Sequence, residues 1–161
     1  MGGGKHKFHK FRTDYEGKDW DKVPTKEMFD EIFRVSKNQI ICGANYFSLP
    51  PTRGIICWDK MQTLPTFSAW ELIWTSFDRP AKIYRLRNDD LKMHGTQKPI
   101  KLIGKLINIF SKDTDLIFDP FMGSWTTARA CLDLKRNFIG AELSEEYCKI
   151  GENRIRQQIL I

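Results

Sequence analysis

Long apolar runs are missing from this 161-residue chain. None approaches the ~18–20 residues that a membrane-spanning helix needs, and no secretory signal segment opens it. Cysteine is sparse. Cys42, Cys57, Cys131 and Cys148 are scattered, with no CxxC pair, a usage that suits reduced cytoplasmic thiols better than a zinc site or a disulfide frame. Histidine is sparser, with three residues. His6 and His9 stand three apart with no further ligand at metal-site spacing, so no metal is assigned. Internal repeats and low-complexity linkers are absent too. What is present is a soluble, core-forming composition, 41% hydrophobic and 29% charged, of a length that suits one domain. The 26 Lys and Arg outnumber 20 acidic residues, giving +6 and a pI near 9.2. Such a balance favours a polyanionic partner.

The stretch from Met1 to Arg12 holds Gly2-Gly3-Gly4, then Lys5, Lys7, Lys10 and Arg12 with no acid among them. It reads as a flexible basic arm, here taken as residues 1–18. Thr25 followed by Met28, Phe29, Ile32 and Phe33 predicts a capped amphipathic helix. Asn38–Gly43, Gly54–Trp58, Glu71–Thr75 and Ala81–Arg85 are short apolar strands, and Asp78-Arg79-Pro80 reads as a turn joining the last two antiparallel. After residue 93 the pattern changes. Pro99 opens a helix with Ile103, Leu106, Ile107 and Phe110 on one face. Asp115–Asp119, Thr126–Leu134, Asn137–Glu142 and Glu145–Gln158 then alternate strand, helix, strand, helix, the pattern of a parallel sheet with ligand chemistry at its strand ends. The expectation is one α/β domain over residues 1–161, with strands on a target-binding side (19–93) and cofactor-binding βα units (94–161).

Asp119-Pro120-Phe121-Met122-Gly123-Ser124-Trp125-Thr126-Thr127 leaves a strand and enters a helix. Small residues at such a turn let backbone N–H groups approach a ligand, and a helix start favours anionic groups. Glu142 falls at the end of the next strand, where a carboxylate can accept two hydroxyl hydrogen bonds from a ribose. From spacing alone, a ligand loop and an ordinary strand–turn–helix are equally good readings.

The residues themselves go further. The stretch from Asp119 to Thr127 resembles the D-P-F-x-G-S-G-T-T cofactor motif of the amino-group DNA methyltransferases, which act on adenine N6 or cytosine N4. His94-Gly95-Thr96-Gln97-Lys98-Pro99 resembles that family's H-x-T-Q-K-P segment, and Phe138–Leu143 with Glu145-Glu146-Tyr147 looks like its F-I-G-I-E-x-x-x-E-Y signature. Phe29–Ser36, Gly43–Phe47 and Trp58-Asp59-Lys60 look like the short phage and prophage members, so the likeness runs from about Asp19 to Arg154. It implies a Rossmann-like methyltransferase fold with the cofactor motif after the catalytic one, a permuted order. The implied cofactor is S-adenosylmethionine. Asp119, Phe121, Met122, Gly123 and Ser124 would line its methionine and adenosine, with Thr126 and Thr127 beside them, and Glu142 would hold the ribose. Thr96, Gln97 and Lys98 would close the opposite side. Lys98 reads either as a neighbour of the cofactor carboxylate or as a solvated lysine at a helix start.

Two departures carry expectations of their own. Trp125 stands where the family has the second glycine of G-S-G, and an indole there is expected to weaken cofactor binding. Amino methylation also needs an extruded base whose amine is held in line with the methyl donor, a task the family gives to a [D/N/S]-P-P-[Y/F/W] motif. Leu49-Pro50-Pro51-Thr52 offers neither the acceptor nor the ring and reads as a structural loop. Family members carry the motif shortly before a segment like Gly2–Lys5. The expectation is therefore a member short of its amino-terminal strands, whose strand ending at Asp119 lacks its usual neighbour.

Between Arg79 and Lys105, eight basic residues face only Asp89 and Asp90. Arg79, Lys82, Arg85, Arg87 and Lys92 are the candidates for phosphate contacts with double-stranded DNA, a solvated positive face being the alternative. The leading expectation is an S-adenosylmethionine-dependent DNA methyltransferase in the cytoplasm, adenine N6 favoured, without a covalent intermediate. It would work alone, as a homodimer or with a complementing chain. The alternatives are an inactive member with a partial pocket and a basic surface, or a plain DNA-binding or docking module.

Overall fold

The computed structural model describes residues 23–63, 65, 67–88 and 97–156. The basic arm, Lys92, Thr96 and the end of the last helix beyond Arg156 lie outside the described residues. Helix α1 spans Lys26–Val35, with the Thr25 hydroxyl accepting from the Met28 N–H at 3.4 Å. Strands β1 (Ile40–Cys42), β2 (Ile55–Asp59), β3 (Trp70–Thr75) and β4 (Lys82–Arg85) follow. Then come α2 (Ile100–Phe110), β5 (Leu116–Asp119), α3 (Thr126–Asp133), β6 (Asn137–Gly140) and α4 (Glu145–Arg156).

The strands form two sheets, β1-β3-β2-β4 and the parallel pair β5-β6. One expectation is corrected here. β3 and β4 are not a hairpin: β3 runs antiparallel between β1 and β2, while β4 crosses to the far side of β2 and pairs with it in parallel, Trp58 opposite Tyr84. The residues of the turn explain this. Arg79 lies over the Phe77 and Phe110 rings, and Phe77 packs on Phe110 of α2 with centroids 4.8 Å apart. The connection is therefore held on the helix side instead of folding back on β3.

Helix α2 joins the two sheets. Leu102 and Leu106 pack on Ile56, Trp58 and Ile73 of the first sheet. Ile107 packs with Ala130 and Cys131 of α3, against which Ile117 and Phe138 of the second sheet also lie. On the opposite face of the first sheet, α1 sets Phe33 edge-on to Trp74 at 5.8 Å. All four cysteines are free. No helix among the described residues is long and apolar enough to cross a membrane.

Candidate functional site

Strands β1, β2 and β4 run the same way, as do β5 and β6 within their own sheet, and the carboxyl ends of parallel strands are where an α/β protein builds its ligand crevice. The β5–α3 loop is fixed by its own side chains. Asp119 Oδ1 accepts from the Phe121 N–H at 2.9 Å, and Oδ2 accepts from the Thr127 hydroxyl at 2.5 Å. The Met122 N–H donates to Ala141 O at 3.0 Å, which ties the loop to the end of β6. Gly123 takes φ +51, a left-handed turn that side chains resist. That turn aims its N–H at Glu142 Oε2, 2.7 Å away, while Oε1 accepts from the Ser144 N–H at 2.9 Å.

Behind the loop lies a buried polar cluster. The Ser124 hydroxyl donates to Gln97 Oε1 at 3.0 Å. Arg154 of α4 donates from Nη1 to Ser124 O at 2.9 Å and to the Ser124 and Thr126 hydroxyls at 3.2 Å each. A buried guanidinium needs such acceptors, and here the loop backbone supplies one of them. Lys98 sits beside Gln97 but reaches the first sheet, its ammonium 3.0 Å from Glu71 Oε1, while Lys60 stands 3.3 Å from Oε2.

Trp125 adopts φ 59 and ψ 37, the left-handed conformation natural to glycine. Its indole lies on Gly151 of α4, where a Cβ would overlap the ring. The departure from G-S-G thus has a matching vacancy one helix away.

The expected site residues are therefore brought together by four hydrogen bonds: Gln97 with Ser124, Gly123 with Glu142, and Asp119 with both Phe121 and Thr127. Met122 is buried, and Phe121 is half-exposed beside the loop. Thr96 lies outside the described residues. The basic candidates are dispersed: Arg79 is on its two aromatic rings, Arg85 stands 3.5 Å from Asp59, and Lys82 and Arg87 are exposed. Sequence reasoning missed Arg154, Glu71 and Gly151. For Glu71 a signal existed, because it shares the Ile73–Thr75 face of β3, a core position carrying a charge.

A turn from a strand into a helix, answered by a carboxylate beyond the next parallel strand, is the arrangement of the nucleotide-binding class of α/β proteins. Comparison with known proteins narrows that class: the DNA methylase model for N6 and N4 methyltransferases matches residues 5–153, and the chain belongs to this family. The type II methyltransferase M.HinfI of Haemophilus influenzae is 42% identical over 66 residues, 41% of this chain and 18% of that protein. DNA adenine methyltransferase YhdJ of Escherichia coli (strain K12) is 40% identical over 67 residues, 42% of this chain and 23% of that one. Among solved structures, the M1.HpyAVI–SAM complex is similar with a TM-score of 0.53 and 30% identity, covering 63% of this chain and 60% of that chain. The α/β, Rossmann-like methyltransferase fold read from the sequence is the fold observed. The chain's match spans about a fifth of the curated relatives.

Proposed function

We propose that this chain is the cofactor-binding part of a DNA methyltransferase that uses S-adenosylmethionine to methylate an exocyclic amine, adenine N6 in preference to cytosine N4. The observation that carries the reading is the meeting of the three motif stretches, Gln97 on Ser124 and Gly123 on Glu142, at one strand edge. The donor set fits the cofactor. Glu142, held by the Gly123 and Ser144 N–H groups, is a carboxylate for a ribose diol, and Lys98 is a cation next to Gln97 for the cofactor's carboxylate. When bound, the cofactor supplies an electrophilic methyl group. The chain's residues bind and orient: Asp119 and Thr127 hold the loop in shape, Phe121 offers an apolar ring beside it, and Arg154 fixes the loop from behind. The adenine preference is supported by the likeness to an adenine methyltransferase.

The partner is double-stranded DNA in the cytoplasm, met by Lys82, Arg85, Arg87 and the neighbouring basic residues through phosphate contacts. A complementing chain supplies the base-holding motif that this sequence does not show. The second sheet supports that partnership. Leu116, Phe118 and Ile139 share one face and are 57%, 45% and 54% exposed, whereas parallel strands are ordinarily covered on both faces. A radiolabelled methyl-transfer assay on unmodified duplex DNA, run with the chain alone and with a chain that carries the base-holding motif, tests the reading. Incorporation into adenine that needs both chains is the expected result, and a lack of incorporation with both present at saturating cofactor and DNA overturns it.

A further inference from the structure

Glu71 is an oddity of the first sheet: a carboxylate whose side chain is only 8% exposed, on the face of β3 that carries Ile73. Burial of a lone charge is costly, so what surrounds it matters. Two ammonium groups flank it, Lys60 at Oε2 and Lys98 at Oε1, with side chains 22% and 24% exposed. Lys60 is itself braced over the Trp58 ring, 5.1 Å from its centroid. Two cations around one anion leave an excess positive charge at the carboxyl end of the sheet. Lys98 also precedes α2, whose amino terminus adds a positive pole.

The position of this cluster gives it a use. The residue before Lys98 is bonded to Ser124 of the ligand loop, so Lys98 lies on the strap between that loop and the first sheet. Through Gln97 and Lys98 the Glu71 cluster is tied to the loop that follows β5.

We propose that Glu71 is a positioning residue that aims Lys98 at the carboxylate of the cofactor's amino-acid tail, with Lys60 seating Glu71 from its other side. The proposal rests on the S-adenosylmethionine reading above and deepens it. A flexible lysine loses much of its affinity for an anion to the entropy of being ordered. A buried carboxylate that holds its ammonium in place removes that loss before the ligand arrives.

The test is a set of calorimetric titrations on the full chain with two ligands, S-adenosylmethionine and its decarboxylated form, which differ by one carboxylate. Wild type is expected to prefer the carboxylated ligand by about tenfold, the worth of one charge-assisted hydrogen bond. Lys98→Met should abolish that preference. Glu71→Gln should lower it by roughly threefold to tenfold while leaving the decarboxylated ligand within about twofold, and the double variant should match Lys98→Met alone. A Glu71→Gln variant that weakens both ligands equally, or neither, or adds in full to Lys98→Met, overturns the proposal. If Glu71→Gln does not fold, Lys60→Met is the deciding variant. It should lower the preference by about twofold to fivefold, and an unchanged preference overturns the proposal. Wild type that binds both ligands alike overturns the proposal and leaves the cofactor reading intact. Wild type that binds neither overturns both.

Discussion

The two sheets share α2 and are finished in opposite ways. The four-stranded sheet has apolar residues packed on both faces, with Ile56, Trp58 and Ile73 under α2 and Trp74 against Phe33 of α1. Among the described residues, the two-stranded sheet is packed on one face, through Ile117 and Phe138. Its other face shows Leu116, Phe118 and Ile139 to solvent. Yet the half-covered sheet carries the ligand loop. Apolar burial is the main driving force for folding, so the first sheet supplies most of the stability while the second presents polar groups at its strand ends. The Gln97–Pro99 strap, bonded to both, is where the two tasks meet.

Substitutions at the centre of each sheet test this division, beginning with the largest effect. Trp58 is 1% exposed and its indole N–H donates to Leu86 O at 2.8 Å. Trp58→Ala should cost about 3–5 kcal/mol in urea unfolding followed by circular dichroism. A cost below about 1 kcal/mol would place the stability elsewhere. Next comes the interlock of loop and α4. Gly151→Ala pushes a methyl into the Trp125 ring and should cost about 1–3 kcal/mol. Adding Trp125→Gly removes both the overlap and the left-handed strain, so the double variant should regain most of that loss. Independent, additive costs would show that the indole does not rest there.

Alkaline unfolding probes the second unit through the Cys131 thiol. Cys131 in α3 is fully buried, which together with the nearby Asp119 charge pushes its pKa up to about 11. The folded chain keeps this thiol protonated above the range near pH 9 where an unfolded cysteine ionises. Its contribution is therefore complete below about pH 8.5 and is lost as pH rises toward about 11, at about 1 kcal/mol per pH unit. Cys131→Ala should flatten that part of the pH–stability curve, and an unchanged slope would contradict the assignment. The smallest effect belongs to the bare face. Phe118→Ser should shift stability by no more than about 0.5 kcal/mol in the isolated chain. A loss of about 2 kcal/mol or more would mean that the face is covered in solution and that the contrast between the sheets is false.

Much of this arrangement was legible from local patterns. Thr25 before an apolar period of three and four marked α1, Pro99 marked α2, and the D-P-F-x-G-S run located the loop and Glu142. Local patterns specify an element but not its neighbour, so the Asp78-Arg79-Pro80 turn suggested a hairpin while the aromatic pair Phe77–Phe110 sent β4 past β2. The same limit hid the partners of the site. Arg154 and Ser124 are 30 residues apart, as are Lys98 and Glu71 to a similar degree, and no periodicity joins them. Trp125 shows the point most plainly. Its place in the loop is read from the motif, but the Gly151 vacancy that receives the ring lies in another helix.

The central claim is that Gln97, Ser124, Gly123 and Glu142 form a site for S-adenosylmethionine. The direct measurement is calorimetric titration of the chain with that cofactor, alongside Glu142→Ala. Saturable binding that weakens at least about tenfold in the variant, as expected for losing charge-assisted bonds to the ribose, is the predicted result. No heat at millimolar cofactor, or equal binding by wild type and Glu142→Ala, would contradict it.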